Sequence, residues 1–286
     1  MNNIHEIQQT ILNWYKQYGR QLPWRQTTDP YKILVSEMML QQTQVDRVIP
    51  KYYAFLEKFS TISSLADAQT ADVLKMWSGL GYNRRALYLQ KCAQTIKQKH
   101  NGKFPETTEE LIALPGLGKY TAAAVQSFAN NKDVVVIDVN IERIFKRIFY
   151  GKVESAEAIA QHMLPKNQSR NWHNALMDVG ALFCAAKNPK CNLCPLQKHC
   201  TSANNKERIE ATWKKKKVVP FKDSDRIVRG TILKFLTTNN SQAVDKIYTQ
   251  LLNQNIKREK EKFEEIIVQL EKDGLVRREG KILLLP

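Results

Sequence analysis

The passage Leu114-Pro115-Gly116-Leu117-Gly118-Lys119-Tyr120-Thr121-Ala122-Ala123-Ala124-Val125 carries the architecture of this chain. A helical run that begins at Glu110 stops at the proline and the two glycines, and a second run leads from Lys119 to Ala129. The pattern is helix, hairpin, helix. Two glycines permit a tight turn and a close approach of backbone to another molecule. The N–H groups that open the second helix can hold a phosphate without reading base sequence. Lys119 places a positive charge at the same point. A plain interhelical turn needs the glycines but not the lysine.

Outward from the hairpin, composition sets the bounds. The chain has 286 residues, 43% of them apolar, enough for one large or two to three small domains with a real core. Its 44 Lys and Arg outnumber 28 Asp and Glu, for a net charge of +16. That excess points to a polyanionic partner. Residues 221–286 hold 13 of the cations and 10 of the anions, so the attraction belongs to the earlier part. Met1-Asn2-Asn3 opens without a basic-then-apolar run, and no stretch approaches the roughly eighteen apolar residues of a membrane span. The expected setting is a reducing cytoplasm, away from any membrane.

Apolar residues recur at helical spacing through most of the chain, as in Ile4, Ile7, Ile11 and Trp14, or Ile141, Ile144, Phe145 and Ile148. The expected fold class is all-α. Strand-like runs are scarce, the clearest being Val134-Val135-Val136-Ile137 and Ile282-Leu283-Leu284-Leu285. The basic run Trp213-Lys214-Lys215-Lys216-Lys217-Val218-Val219-Pro220 reads as a linker over 213–224, or as a solvated helix end. Beyond it, three amphipathic helices carry Val228, Ile232 and Phe235, then Ile247 and Leu251, then Phe263, Ile266 and Leu270. A hairpin around Glu279-Gly280 follows, and together these elements make a winged-helix-like module over 225–286. Such a module touches DNA or binds a protein partner.

Four of the five cysteines, Cys184, Cys191, Cys194 and Cys200, follow the spacing C-x6-C-x2-C-x5-C. Thiolates this dense favour zinc or an iron–sulfur cluster, and nothing else in the chain suggests a secreted, disulfide-bonded protein. Two carboxylates are candidates for chemistry. Asp138 is delivered by an apolar run to the start of a helix, where it either caps that helix or faces a reaction centre. Glu37 stands alone among neutral residues in Ile33-Leu34-Val35-Ser36-Glu37-Met38-Met39-Leu40, the setting of a general acid or of an exposed helix-face glutamate. One acid to protonate a leaving group and one carboxylate to steady an oxocarbenium ion suit the cleavage of an N- or O-glycosidic bond.

The hairpin, the aspartate that follows it and the four-cysteine spacing together resemble the helix-hairpin-helix DNA glycosylases of the endonuclease III superfamily. Within it, Leu22-Pro23-Trp24, Asp29-Pro30-Tyr31-Lys32, Ser36-Glu37-Met38-Met39-Leu40-Gln41-Gln42-Thr43-Gln44-Val45 and Gly79-Leu80-Gly81-Tyr82 are similar to the adenine DNA glycosylase branch. The resemblance covers residues 1–205. It implies a six-helix domain over 23–132, with the hairpin, and an iron–sulfur cluster domain from 1–22 and 133–212. It also implies that Cys184, Cys191, Cys194 and Cys200 hold a [4Fe-4S] cluster. Glu37 becomes the acid that protonates an extruded adenine and then helps activate water, Asp138 the stabiliser of the cationic sugar, and Asn140 a hydrogen-bonding group beside it. Tyr120 stands where bifunctional members of the superfamily have a lysine nucleophile, and a phenol cannot form that imine, so a monofunctional enzyme is expected.

The same resemblance places Trp24, Arg25, Leu40 and Asp178 around the adenine. It places Gln42, Thr43, Leu80 and Tyr82 in the wedge that fills the stack, since extruding a base costs about a few kcal/mol, and Gln41 among the residues that meet DNA. Gly116, Gly118, Lys119, Lys187, Lys190 and Lys198 would meet the DNA backbone. Two features depart from the branch. Val139 stands between Asp138 and Asn140 where glycine is usual, and residues 221–286 resemble a winged helix where a Nudix-like domain is usual. The expected activity is removal of adenine mispaired with 8-oxoguanine or guanine from double-stranded DNA, by a monomeric, nucleoid-associated enzyme of base excision repair. The alternatives are a related glycosylase acting on hypoxanthine or mismatched thymine, and a non-catalytic iron–sulfur DNA-binding protein.

Overall fold

The computed structural model describes residues 4–212 and 219–286. The greater part of the basic run read above as a linker, Trp213–Val218, lies outside the described residues. In chain order the helices are α1 (Ile4–Tyr18), α2 (Pro30–Leu40), α3 (Val45–Lys58), α4 (Ile62–Ala66), α5 (Thr70–Trp77), α6 (Arg84–Lys99), α7 (Thr108–Ile112) and α8 (Lys119–Asn130). They continue with α9 (Val139–Ile148), α10 (Ala156–Met163), α11 (Ser169–Leu182), α12 (Lys206–Ala211) and α13 (Asp225–Asn239). Strand β1 (Ser241–Ala243), α14 (Val244–Asn253), α15 (Lys260–Lys272), β2 (Arg277–Glu279) and β3 (Ile282–Leu284) complete the chain. No helix among the described residues is long and apolar enough to cross a membrane.

The described residues form two compact units, residues 4–33 with 117–212 and residues 34–116 with 219–286. In the first, the apolar stripes of α1, α9, α10 and α11 meet in one core that includes Ile7, Ile11, Ile144, Phe145, Trp172 and Leu176. Cys184, Cys194 and Cys200 pack against that core. In the second, Phe55, Phe59 and Trp77 stack edge to face at centroid separations of 5.0 and 6.0 Å. Aromatic rings in that arrangement add stability beyond the area they bury.

The C-terminal residues follow the winged-helix order of helix, strand, two helices and hairpin. The sheet runs β1-β3-β2, all antiparallel, with Ala243 opposite Ile282 and Glu279 opposite Ile282 on the other side. The hairpin appears where the alternation predicts it, with Gly280 at φ +58° in the turn. Strand β1 carries no apolar alternation and is invisible in the sequence; it exists because β3 offers it an edge.

One expectation is overturned. Val134–Ile137 is not a strand but extended chain without a sheet partner. Side chains take the place of a neighbouring strand: the Val136 N–H donates to His173 Nε2 at 3.1 Å, and Ser169 Oγ donates to the Val134 carbonyl at 3.2 Å. Buried backbone groups need partners, and here α11 supplies them.

Candidate active site and cysteine centre

Glu37 lies in the middle of α2 and is 6% exposed, with Val35, Met38 and Met39 buried around it. The exposed helix-face reading of this glutamate is excluded. Asp138 is the N-cap of α9: its Oδ1 accepts from the N–H groups of Asn140 (2.9 Å) and Ile141 (2.8 Å). Its Oδ2 accepts from Asn140 Nδ2 at 2.7 Å. Capping and presentation coincide, because the residue is only half-buried while three N–H donors fix its plane. Val139 between them is 72% exposed and helical, so the extra side chain points into solvent and no glycine conformation is required there.

Asn140 is packed from below by α11. A Cβ added at Gly180 would stand 2.8 Å from Asn140 Cβ, so the absence of a side chain at Gly180 makes room for it. Arg143, one turn further along α9, donates to Asn140 Oδ1 at 2.8 Å and to the Cys184 carbonyl at 2.7 Å. The capped aspartate, the asparagine and the first cysteine are thus joined through one helix face. His173 supports the approach to Asp138 from beneath: its Nδ1 donates to the Ser169 carbonyl at 2.8 Å while Nε2 accepts from Val136. Burial holds this imidazole neutral, with its pKa pulled down to about 4.

Of the expected adenine-contacting residues, Trp24 and the Arg25 side chain are buried, and Leu40 is half-buried. Asp178 is 0% exposed. Arg25 grips it with two N–H bonds of 2.8 Å, and Arg20 adds a side-chain bond of 2.6 Å and a backbone bond of 2.9 Å. Burial raises this carboxyl, but the two guanidiniums and the backbone N–H together hold it below the usual carboxylate range. All four bonds to Asp178 come from within the protein, so it fixes Arg25 rather than presenting a free face.

Of the residues expected in the wedge, Thr43, Leu80 and Tyr82 bond to Arg85, which sequence reasoning missed. The residue is 7% exposed, and its guanidinium donates to the carbonyls of Met38 (2.6 Å), Met39 (2.9 Å) and Gln41 (2.7 Å) on one side. On the other it reaches the carbonyls of Leu80 (3.3 Å), Gly81 (2.8 Å) and Tyr82 (3.3 Å). Thr43 Oγ1 accepts as well, at 3.2 Å. Burial lowers the Arg85 pKa to about 10, which leaves it charged at neutral pH. The staple holds Gln42 (φ +55°) and Tyr82 (φ +48°) in left-handed conformations that side chains seldom adopt. Both are exposed, Tyr82 by 46%, whereas Thr43 is half-buried and Leu80 is only 3% exposed. Leu80 is therefore covered where its neighbour Tyr82 is open. The clue in the sequence was position: Arg85 shares a helix face with Leu89, Cys92 and Ile96, all buried.

In the hairpin, Gly116 has φ +80°, and a Cβ there would come within 2.5 Å of Tyr88 Cβ. Gly118 needs no such freedom; it is the N-cap of α8 and brings no side chain to close that helix end. Lys119 is exposed beside it, and Tyr120 is half-buried.

The four cysteines form no disulfide, and their segment consists of two short 3₁₀ turns, Cys191–Leu193 and Gln197–His199. Burial pushes the Cys194 thiol up to about 12, and the charges of Cys184, Cys200 and Cys191 add to the effect, so the four sulfurs lie within electrostatic reach of one another. Arg147, 2% exposed, donates to Cys184 Sγ (3.3 Å) and to the carbonyls of Ala185 (2.7 Å) and Ala186 (2.9 Å). Its own carbonyl accepts from Cys200 Sγ at 3.4 Å and from the Ser202 N–H at 3.2 Å. Among the described residues, no group of three or more His, Cys, Asp or Glu side chains is arranged to hold a metal ion. Lys187, Lys190 and Lys198 are exposed around the segment.

Residues 35–168 match the family described as HhH-GPD superfamily base excision DNA repair protein. An adenine DNA glycosylase of Buchnera aphidicola subsp. Baizongia pistaciae is 42% identical over 216 residues, which cover 73% of this chain and 62% of that protein. The chain thus spans just under two thirds of that relative's length. An adenine DNA glycosylase of Mycolicibacterium smegmatis is 37% identical over 79% of this chain and 78% of its own. Among solved structures, a thermostable thymine-DNA glycosylase superposes with a TM-score of 0.65 at 30% identity, over 69% of this chain and 95% of that one. The helical glycosylase fold expected from the hairpin is borne out.

Proposed function

This chain belongs to the adenine DNA glycosylase family within the HhH-GPD superfamily of base excision DNA repair proteins, and on that footing we propose that it hydrolyses the N-glycosidic bond of adenine mispaired with 8-oxoguanine or guanine in duplex DNA. The observation that carries the reading is the contrast between its two carboxylates. Glu37 is buried within α2, the kind of site from which a proton is delivered, whereas Asp138 is half-open and ringed by donors. Glu37 protonates the extruded base as the bond from the sugar to the base nitrogen breaks. The carboxylate of Asp138 faces the positive charge that develops on the sugar, and Glu37 then takes a proton from the attacking water.

The remaining residues bind and orient. Gln42 and Tyr82, held out by Arg85, fill the gap left by the base, while Arg25, locked by Asp178, shapes the pocket side that carries Trp24. The uncapped start of α8 at Gly118, with Lys119, takes a backbone phosphate. Cys184, Cys191, Cys194 and Cys200 suit a [4Fe-4S] cluster: four free thiols, an arginine N–H on one sulfur and a core at their back. That group would supply structure, holding Lys187, Lys190 and Lys198 toward the DNA. The enzyme acts as a monomer in the cytoplasm, at the nucleoid.

Single-turnover cleavage of duplexes carrying A:8-oxoG, A:G, A:C, T:G and hypoxanthine pairs tests this function. Adenine release fastest opposite 8-oxoguanine is expected, and release of no base from any duplex overturns it. Glu37→Gln should slow release by on the order of 10²–10⁴-fold while leaving DNA binding intact. Because Tyr120 cannot form an imine, borohydride should trap no covalent enzyme–DNA adduct.

A further inference from the structure

Within the second unit, a cleft of about 1130 Å³ separates the wedge loops from the C-terminal module. Seven cationic side chains and no carboxylate line it. One wall is Arg47, Lys51 and the Gly79–Tyr82 turn, and the other is one face of α13, with Arg226, Gly230, Leu233, Lys234 and Thr237 at helical spacing. The opposite face of α13, through Val228, Ile232 and Leu236, is buried in the module's own core. Arg84 and Arg229 share the carboxylate of Asp273. Together with the 3.3 Å contact of Ser78 Oγ and Thr237 Oγ1, they fix the module against the cleft. Arg47, Lys51, Arg226 and Lys234 have no carboxylate partner among the described residues.

The cleft also carries open aromatic faces. Phe221 is 59% exposed and Tyr82 is 46% exposed. Arg226 lies between them, donating to the Tyr82 hydroxyl at 3.3 Å with its guanidinium 5.9 Å from the centre of the Phe221 ring. Unpaired cations that follow a groove, beside exposed rings, are the chemistry that holds a nucleic-acid strand: charge for the phosphates, stacking for the bases. An acidic peptide would use the cations and leave the rings idle.

We propose that this cleft binds a nucleotide of the DNA strand opposite the extruded base, with Phe221 and Arg226 of the C-terminal module completing a base-contacting site that begins at Tyr82. The inference rests on the glycosylase reading only for which strand enters. The net charge of the module is small, but three of its cations, Arg226, Arg229 and Lys234, line the cleft.

Gly230 provides the cleanest test, because a Cβ there meets nothing within 4 Å and its backbone is ordinary helix. Gly230→Glu fills the cleft with a like-charged obstacle to DNA, and Phe221→Ala and Arg226→Ala remove the ring and the cation. Binding is measured without chemistry, by fluorescence anisotropy of the full chain on duplexes that differ only in the base opposite adenine, with a melting curve to show that each variant is folded. Each substitution should weaken binding on the order of tenfold and compress the preference among opposite bases. Arg226→Ala should also reduce the slope of log affinity against log salt by about one. Folded variants that bind every duplex with wild-type affinity and preference overturn the proposal. A chain that releases no base yet loses duplex binding on Gly230→Glu refutes the glycosylase reading and leaves the cleft standing.

Discussion

Arg85 in one unit and Arg147 in the other are both buried arginines that organise irregular chain, and they differ in how completely they do it. Arg85 donates to seven acceptors drawn from both wedge loops, so those loops are held by protein alone. Arg147 touches only the two ends of the cysteine segment, at Cys184 to Ala186 and at Cys200 to Ser202. Its middle is held by short-range backbone bonds, such as that from the Cys194 N–H to the Cys191 carbonyl, and by the core against which Cys194 packs. One region hangs on a single guanidinium, and the other is held at its ends and through the core behind it.

The largest expected effect follows from removing these staples. Arg85→Ala leaves six carbonyls and a hydroxyl without their donor, and should cost about 3–5 kcal/mol in urea unfolding while slowing adenine release. Arg85→Lys should recover little, since an ammonium cannot serve both loops at once. Arg147→Ala should lose comparable stability but also iron content and visible absorbance, which Arg85→Ala should keep. Equal iron in both variants would break the comparison.

A second test separates support by charge from support by a neutral ring. The folded pKa of His173 lies near 4, below the unfolded value of about 6.5. The unfolded state therefore takes up the proton first. The contribution of His173 is fully present above pH 6.5 and is lost as pH falls toward 4, on the order of 3 kcal/mol in all. Thermal unfolding should weaken across that window, and His173→Gln should flatten the loss. Asp178, with a depressed carboxyl pKa, loses its contribution only at lower pH, as acid protonates a group still ionised in the folded state. An unchanged profile in His173→Gln would assign the window to other groups.

The smallest effect concerns fit alone. Gly180→Ala should cost about 1–3 kcal/mol and displace Asn140, because the added methyl meets its Cβ at 2.8 Å. Retained adenine release in this variant would show that Asn140 is not needed beside Asp138.

Much of the architecture was legible in the residues. The hairpin, the helical stripes and the winged-helix module each express a local rule of periodicity or turn chemistry, and each appears where that rule puts it. Val134–Ile137 misled because β-branched residues mark buried extended chain, and only tertiary structure provides or withholds a neighbouring strand. The burial of Leu80 was not legible either: it lies in the turn whose carbonyls Arg85 binds, and its side chain is covered.

By itself, then, the sequence determined which groups the chain carries: two candidate carboxylates, four closely spaced thiols and a glycine-bearing hairpin between two helices. These depend on residue type and short spacing, which a chain keeps however it folds. Tertiary structure alone decided which arginines are buried and what they hold, that Asp178 is bound up in ion pairs, and that α13 turns its cations toward Tyr82. Many of those contacts join residues tens to more than a hundred positions apart, and their pairing is settled by how whole helix faces pack together.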